Sequence, residues 1–174
     1  MSHPLDLFRF CPKCGSEYFE VNNFKSKHCS NCGFTYYQNP SSATAAFIQN
    51  DKGELLVVRR AKDPAKGTLD LPGGFVDNDE SGEQGIIREI REETGLEIKK
   101  VEYLFSVPNV YQYSGMNIHT LDMFYHCHVD DDAETLAADD AAECFWVPLR
   151  NVYVERFGLR SIREAVHRFL AQNC

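Results

Sequence analysis

Acidic residues crowd one short segment of the chain, at a spacing that could hold a metal ion. Five glutamates fall within residues 80–93, and Glu89, Glu92 and Glu93 are spaced i, i+3 and i+4. Each residue advances an α-helix by about 100°, so this spacing gathers three carboxylates in one narrow arc. Clustered carboxylates raise one another's pKa unless a cation neutralises them. Their oxygens suit a hard ion, Mg²⁺ or Mn²⁺, so the segment predicts metal-dependent chemistry on an anionic substrate.

The residues around these glutamates match a known family signature. Gly74 precedes Glu80 by five intervening residues, and seven more residues separate Glu80 from the run Arg88-Glu89-Ile90-Arg91-Glu92-Glu93-Thr94-Gly95-Leu96. The pattern resembles that of the Nudix hydrolases at each of its nine constrained positions. The alternative is a solvated acidic helix with fortuitous spacing, and nine constrained positions argue against it.

This resemblance implies a fold, a reaction and a set of residue roles. The fold would be an α/β (or α+β) protein, an α/β/α sandwich with a mixed sheet. The reaction would be hydrolysis of a nucleoside diphosphate linked to another moiety. Arg88 and Glu80 would form a pair that holds the helix against the preceding loop. The ligands of the catalytic Mg²⁺ or Mn²⁺ would be three carboxylates and one backbone carbonyl: Glu89, Glu92, Glu93 and Gly73.

Such a hydrolysis needs a group that takes a proton from the attacking water. Glu89 on the helix is one candidate. A later loop, just before residues 145–148, is the other, because it carries Asp139, Asp140 and Glu143. Acidic loop residues are more often simply solvated, so the source of the base stays open.

A nucleotide substrate also needs an aromatic platform for its base and a cation for its phosphates. Tyr111 and Tyr113 follow the glutamate helix in a polar, turn-like segment that ends at residues 114–115, and they are candidates for substrate contact. They fit strand residues at a sheet surface equally well, because tyrosine favours strands. Arg59 and Arg60 end a predicted strand. Arg59 is the candidate for a phosphate clamp.

The N-terminal part of the chain carries a second chemical pattern. Two Cys-x-x-Cys pairs, Cys11 with Cys14 and Cys29 with Cys32, are separated by 14 residues. Two such turns can supply four thiolates to a tetrahedral Zn²⁺, which predicts a structural zinc ribbon. A module below about 40 residues builds little core, so zinc would supply most of its folding energy. A redox role is the alternative, and the matched pairs argue against it.

A zinc ribbon joined directly to a Nudix domain resembles the NADH pyrophosphatase group. That group carries a Ser-Gln-Pro-Trp-Trp tract after the glutamate helix, whereas this chain has residues 105–111 there and Trp146 as its only tryptophan. The resemblance implies ADP-ribose, NADH or another dinucleotide-like substrate. One alternative is a nucleoside triphosphate pyrophosphohydrolase that clears the nucleotide pool. Another, from a different class, is a non-catalytic nucleotide sensor or nucleic-acid-binding module.

Hydrophobic patterning places the elements that must position these groups. Residues 1–38 are predicted to form the zinc ribbon and 39–174 the Nudix domain, with 39–42 as a linker. The glutamate helix is predicted over 81–94, and a last helix begins at a Ser161 cap. The predicted strands cover 17–21, 34–37, 43–49, 54–60, 101–106, 121–129 and 144–148.

Composition limits the compartment and the partners. The 174 residues carry a formal net charge of −8, which repels phosphate backbones and anionic lipids and argues against nucleic-acid and membrane binding. No apolar run approaches the roughly 18 residues of a membrane span, and no secretory signal is visible. Seven cysteines, four of them paired by spacing, predict a reducing, cytoplasmic compartment. A small nucleotide is the expected partner, and a homodimer stays open.

Overall fold

The computed structural model describes residues 3–129 and 141–173. The chain forms two compact units, Met1–Pro40 and Ser41–Cys174. The N-terminal unit is a three-stranded antiparallel sheet of strand order β1-β2-β3. These strands are β1 (Phe19–Asn23), β2 (Ser26–Cys29) and β3 (Thr35–Tyr37). Its small core contains cysteines as well as aromatic rings: Phe8, Cys11, Phe19, Cys29, Cys32 and Phe34.

A mixed six-stranded sheet forms the centre of the C-terminal unit. Its strands are β4 (Ser41–Gln49), β5 (Glu54–Arg60), β6 (Leu69–Asp70), β7 (Lys100–Tyr113), β8 (Met116–His128) and β9 (Ala141–Pro148). The order is β6-β5-β4-β8-β7, and β9 pairs with β5. The β4–β8 pair is parallel, whereas the other pairs are antiparallel. The helices described in this unit are α1 (Gly82–Thr94) and α2 (Arg160–Asn173), with short 3-10 turns at Leu149–Asn151 and Val154–Arg156.

Strand β4 is covered on both faces. Its alternating side chains divide between two cores: Ala45 and Phe47 pack in the cluster that contains α2, and Ala46 and Ile48 in the cluster that contains α1. A strand buried on both faces reads as a continuous apolar run, as β4 does from Ala45 to Ile48. The helix–sheet–helix layering confirms the predicted fold class.

Local sequence explains why α1 begins and ends where it does. The Ser81 hydroxyl accepts a hydrogen bond from the backbone N–H of Gln84, and the Gln84 side chain accepts one from the N–H of Ser81. This capping box satisfies two backbone donors that a helix start leaves unpaired. Gly95 ends the helix with φ at 72°, a left-handed conformation that glycine adopts freely. Ile86 and Ile90 are fully buried against the sheet. The predicted helix is confirmed.

Several predicted boundaries were wrong. Ser41 and Ser42 belong to β4, paired with β8, and are not part of a linker. Ser161 does not cap α2, which already begins at Arg160; its hydroxyl instead donates to the buried Asp122 at 2.6 Å. Strands β7 and β8 form a longer hairpin than predicted, because polar residues such as Asn109 continue its ladder.

Neither α1 nor α2, the helices in the described part of the chain, has the length and apolar character to cross a membrane.

Truncating Phe169 should weaken the packing of α2 against the sheet. Its ring stacks on that of Phe47 with centroids 4.0 Å apart, and both side chains are buried. Phe169→Ala should therefore lower the free energy of unfolding of this unit by about 3–5 kcal/mol, measured by urea denaturation. Tyr153→Ala removes a ring that is 57% exposed and should change it by less than about 1 kcal/mol. Equal losses in the two variants would contradict this account of the core.

Candidate functional site

The loop before α1 runs beside β4 as an extra length of sheet. The N–H of Ala46 donates to the carbonyl of Pro72 at 2.9 Å, and the N–H of Thr44 donates to the carbonyl of Gly74 at 2.8 Å. The N–H of Val76 donates in turn to the carbonyl of Ser42 at 3.1 Å. These three bonds attach the loop to β4, a strand that is covered on both faces.

Two glycines allow the loop, β4 and α1 to approach closely. Gly73 has φ at 147°, and a Cβ added there would lie 2.2 Å from the carbonyl oxygen of Thr44. At Gly74 a Cβ would lie 2.5 Å from the carboxylate of Glu89. At Gly73 the added atom would meet backbone, so glycine is required there, whereas a side chain at Gly74 would force the Glu89 carboxylate to move. The Glu89 carboxylate therefore lies directly against the loop backbone.

Arg88 is the cation that compensates this acidic region. Its guanidinium donates to both oxygens of Glu80 at 2.9 Å, to Glu89 at 2.8 Å and to Glu92 at 3.1 Å. It also donates to the backbone carbonyl of Phe75 at 3.0 Å. A two-point contact between guanidinium and carboxylate fixes both groups in one geometry. The structure thus brings together the two residues predicted to hold the helix against the loop.

The three glutamates on α1 have different surroundings. Glu93 is only 8% exposed, and its Oε2 accepts a hydrogen bond from the N–H of Gly73 at 3.0 Å. Glu92 is exposed, whereas Glu89 is partly buried, and burial raises the pKa of Glu89 against the opposing effect of Arg88. Among the described residues, only the four cysteines bring three or more potential ligand atoms within 4.8 Å of one another. The glutamates share one side of α1 without forming such a cluster.

The donor set of these glutamates fits a hard divalent cation. All three side chains offer carboxylate oxygens, and Glu93 and Glu89 lie against the backbone of Gly73 and Gly74. Oxygen-only donor sets suit Mg²⁺ and Mn²⁺, whereas Zn²⁺ prefers nitrogen and sulfur. An ion held here would also relieve the burial of negative charge at Glu89, which Arg88 only partly offsets.

A cavity of about 320 Å³ is lined by Glu93 and by the two glycines of the loop. Tyr111 and Tyr113, which alternate along β7, line it as well, with ring centroids 6.2 Å apart and planes 16° apart. The ring of Phe75 lies 6.2 Å from that of Tyr111. The two tyrosines are therefore strand residues, and they are also placed to contact a planar group in the cavity.

A comparison with known families decides the identity of this fold. The NUDIX domain family matches residues 39–169. The chain belongs to the Nudix family. This membership confirms the predicted enzyme class, a Nudix-type pyrophosphohydrolase.

Two kinds of curated protein resemble this Nudix chain. The ADP-ribose pyrophosphatase of Methanocaldococcus jannaschii is 35% identical over 123 residues, which cover 68% of each protein. The NAD-capped RNA hydrolase NudC of Haemophilus influenzae is 31% identical over 119 residues, or 67% of this chain and 44% of that protein. The NudC of Pseudomonas aeruginosa is 31% identical over 98 residues, 34% of its length. The match to this chain therefore spans less than half of each of these NudC proteins.

Solved structures agree with the Nudix fold. A NUDIX hydrolase from Nitrosomonas europaea superposes with a TM-score of 0.70 at 22% identity, covering 94% of this chain and 91% of that one. The NUDIX domain of Shewanella oneidensis NrtR, solved in complex with ADP ribose, gives a TM-score of 0.64 at 20% identity over 100% of both chains. At these identities the likeness concerns the fold alone.

The phosphate-clamp candidate of this Nudix domain does not face the cavity. Arg59 donates to Glu143 at 2.9 Å and to the carbonyl of Gly67 at 3.0 Å, and it does not line the cavity. Arg60 does line it, held by an ion pair with the buried Asp70. Adjacent strand residues point to opposite faces, so only one of the two arginines could reach the cavity.

The acidic loop proposed as a source of the base is only partly described. Glu143 lies on β9 opposite Arg59, with which it forms an ion pair, and not in a loop beside the glutamate helix. Asp139 and Asp140 lie outside the described residues. The described residues thus leave Glu89 as the sequence candidate that touches the glycine loop.

Sequence reasoning missed a group of buried polar side chains in the same cavity. Asn109, Thr120 and Asp122, here called the polar floor, are 7%, 5% and 7% exposed. Asp70 lies in the cavity lining too, and burial raises its pKa, although Arg60 opposes the shift. The available signal was the i, i+2 spacing of Thr120 and Asp122 within one strand, which places both on one face.

The cysteines of the N-terminal unit form the other candidate site. The Sγ atoms of Cys11 and Cys32 are 3.8 Å apart, and those of Cys14 and Cys29 are 3.7 Å apart. Disulfide sulfurs lie at about 2.05 Å. Tetrahedral zinc with Zn–S bonds of about 2.3 Å places its sulfurs roughly 3.8 Å apart. The Asn31 amide donates to the Sγ of Cys14 at 3.7 Å, a contact that favours a thiolate. The four thiols fit zinc.

The stability effect of Glu80 should depend on pH. Hydrogen bonds from Arg88 lower the pKa of Glu80 below its ordinary 4.5, so this pair stabilises the fold above pH 4.5 and the contribution is lost as the pH falls through the folded-state pKa. Glu80→Gln should therefore be less stable than wild type at about pH 7, and the gap should narrow below pH 4.5. Urea denaturation across pH measures this.

Glu97→Gln serves as the control, because that exposed glutamate pairs with the exposed Arg91. Exposed pairs contribute little, so this variant should match wild type at every pH. A Glu80→Gln gap that stayed constant across pH would contradict the ion-pair interpretation.

Proposed function

We propose that this protein hydrolyses the diphosphate bond of a nucleoside diphosphate derivative, with ADP-ribose or an NAD-type dinucleotide as substrate and Mg²⁺ or Mn²⁺ as cofactor. The observation that carries this proposal is the buried Glu93, whose carboxylate accepts a hydrogen bond from Gly73 and lines the same cavity as two tyrosines. The resemblance to an ADP-ribose pyrophosphatase supports the choice of substrate.

The divalent ion would be held by Glu89, Glu92 and Glu93, with the carbonyl of Gly73 as a further ligand. When bound, such an ion neutralises phosphate charge and lowers the pKa of water. The chain's own residues position the loop backbone against the substrate. Two glycines without side chains leave the loop backbone open to a phosphate, and the loop's bonds to β4 keep it in place.

Arg88 and Glu80 act as positioning residues in this proposal. Arg88 donates to Glu80, to two of the ligand carboxylates and to the carbonyl of Phe75. It therefore fixes α1 relative to the loop and limits the repulsion between carboxylates. Preorganised charges of this kind need no rearrangement when the reaction occurs.

The proton of the attacking water would pass to Glu89. Its carboxylate lies against Gly74, where the diphosphate would approach, whereas Glu143 lies on β9 opposite Arg59. Of the two strand-end arginines, Arg60 is the one that lines the cavity and could meet the substrate. Tyr111 and Tyr113 would offer their ring faces to the nucleobase, a contact that contributes about 0.5–1.5 kcal/mol beyond burial.

The N-terminal unit is proposed to fold around one structural Zn²⁺ held by Cys11, Cys14, Cys29 and Cys32. Four thiolates close a tetrahedral shell and leave no position for a reactive water. Cys11 and Cys29 are also part of the unit's small core, so zinc and core would form together. Unoxidised thiols fit a reducing compartment, and we place the protein in the cytoplasm.

Replacing Glu93 tests the hydrolase directly. In Glu93→Gln the amide oxygen can still accept from Gly73, so the fold should survive, while the lost charge should lower Mg²⁺-dependent ADP-ribose hydrolysis by at least about a hundredfold. Product analysis by chromatography measures the rate. Glu83→Gln, an exposed change in the first turn of the same helix, should keep wild-type activity.

Unchanged activity in Glu93→Gln would remove Glu93 from the metal site. Wild-type protein that binds ADP-ribose yet releases no product from any nucleotide in a panel would instead support the sensor alternative.

Zinc content tests the N-terminal site. Purified protein should contain about one zinc per chain by mass spectrometry of the metal, and Cys14→Ser should lose it together with the folded N-terminal unit. Cys144→Ser removes a cysteine outside the four-cysteine cluster and should keep the metal. Full zinc occupancy in Cys14→Ser would contradict the four-thiolate site.

A further inference from the structure

The polar floor occupies one face of the β7–β8 hairpin. Asn109 lies directly opposite Thr120 across the two strands, and Asp122 follows Thr120 by two residues. Side chains at positions i and i+2 share one face of a strand. All three residues are more than nine-tenths buried and line the same cavity as Glu93. The cavity beside α1 is thus lined on this side by three side chains that can form hydrogen bonds.

Asp122 is held rigidly and has acceptor capacity to spare. The Thr120 hydroxyl donates to its Oδ1 at 2.5 Å, and the Ser161 hydroxyl donates to its Oδ2 at 2.6 Å. An ionised carboxylate has about four acceptor positions and no donor. Two donors, one on each oxygen, fix its orientation and leave lone pairs for another group. Any ligand group that bonds to Asp122 must therefore be a donor.

Asn109 is the member of the floor without a partner. Within residues 3–129 and 141–173, its side-chain amide makes no hydrogen bond, although the residue is 7% exposed. Its amide atoms are not fully enclosed, since the fully buried side-chain polar atom without a partner in the described residues belongs to Gln38. The amide is therefore open to the cavity and available to a ligand. An amide offers both a donor and an acceptor. A ligand in the cavity that carries a donor next to an acceptor could form hydrogen bonds with this amide.

The position of the floor relative to the tyrosines indicates which part of a nucleotide it meets. Tyr111 follows Asn109 by two residues on the same strand face, about 6.6 Å along β7. Its ring is nearly parallel to that of Tyr113. A planar base stacked on Tyr111 would therefore present its edge to the floor, while the diphosphate of the same molecule reached Gly73 and Glu93.

We propose that Asn109 and Asp122 recognise the edge of the nucleobase and select a base with an amino group beside a ring-nitrogen acceptor, as in adenine. This inference rests on the proposed function, since it names the base of that substrate. Asp122 accepts from the amino group, and Asn109 donates to the ring nitrogen. Hypoxanthine carries an oxygen and an N–H in the reversed arrangement. The Asn109 amide can rotate to match hypoxanthine, whereas a carboxylate cannot donate, so Asp122 is the discriminating residue.

The test is a binding measurement that requires no turnover. Calorimetric titration of the full chain with AMP, IMP and 2′-deoxy-AMP, in the presence of Mg²⁺, should give AMP an affinity about 10- to 100-fold above that of IMP. 2′-Deoxy-AMP should bind within about threefold of AMP. Equal binding of AMP and IMP, absence of AMP binding, or a large loss with the deoxy compound would overturn the proposal.

Asp122→Asn should remove the preference without removing the site. The amide is the same size and can pair with the Thr120 and Ser161 hydroxyls, yet it can donate as well as accept. The AMP-to-IMP ratio should therefore fall to within about threefold. Asp51→Asn removes the same charge from an exposed position and should keep the wild-type ratio. A ratio that survived in Asp122→Asn would exclude Asp122 as the discriminating residue.

The variant Asn109→Leu tests whether Asn109 contributes to AMP affinity or to the stability of the fold. Because the amide bonds to no other described group of the free protein and is open to the cavity, an apolar side chain of similar size should change the unfolding temperature little, while AMP affinity falls about tenfold. Asn117→Leu, an exposed change on β8, should alter neither quantity. A lower unfolding temperature with unchanged AMP affinity would mean that Asn109 is structural.

These outcomes differ from those that would end the proposed function. Selective AMP binding without hydrolysis of any nucleotide would leave base recognition standing and remove the hydrolase. Hydrolysis of ADP-ribose and its hypoxanthine analogue at equal rates would keep the hydrolase and remove base recognition.

Discussion

The repulsion between closely spaced carboxylates is the constraint on which this site depends. Arg88 offsets it by bonding to Glu80, Glu89 and Glu92 at once, and it reaches the loop through the carbonyl of Phe75. The same bonds that offset the charge therefore also fix the helix to the loop. Glycine at position 74 lets the Glu89 carboxylate lie against the loop, because an added Cβ would be 2.5 Å from that carboxylate and would displace it. Loss of Arg88 would therefore remove both the compensating charge and the link between helix and loop.

Strand β4 joins the two halves of the site. On one edge its backbone donates to the glycine loop, and on the other it pairs in parallel with β8, which carries Thr120 and Asp122. The glycine loop that contacts the α1 carboxylates and the strand that carries Thr120 and Asp122 are thus both hydrogen-bonded to β4, on its opposite edges. Groups on a rigid strand hold their relative positions better than groups on loops, which suits a site that must align a base and a diphosphate together.

Local signals were sufficient for some elements and not for others. Helix α1 could be predicted because its capping box, its buried isoleucines and Gly95 all lie within 15 residues of one another. The hairpin of β7 and β8 could not, because its polar positions look like loop residues until α2 covers them. Ser161 follows the capping rule in sequence, yet its partner Asp122 is 39 residues away. The choice between Arg59 and Arg60 has a similar origin, since local sequence does not show which face of β5 meets the cavity, and the structure places Val58 and Arg60 in its lining.

Two kinds of polar burial coexist in the cavity, and the difference between them is informative. Asp122 and Asp70 are both held in place by partners, the first by two hydroxyls and the second by Arg60, so each has a fixed orientation in the free protein. The Asn109 amide makes no hydrogen bond within the described residues, and its atoms are open to the cavity. Its donor and acceptor therefore stay available to a bound group. An unpaired amide set among paired neighbours in the cavity supports the proposed role of Asn109 in binding.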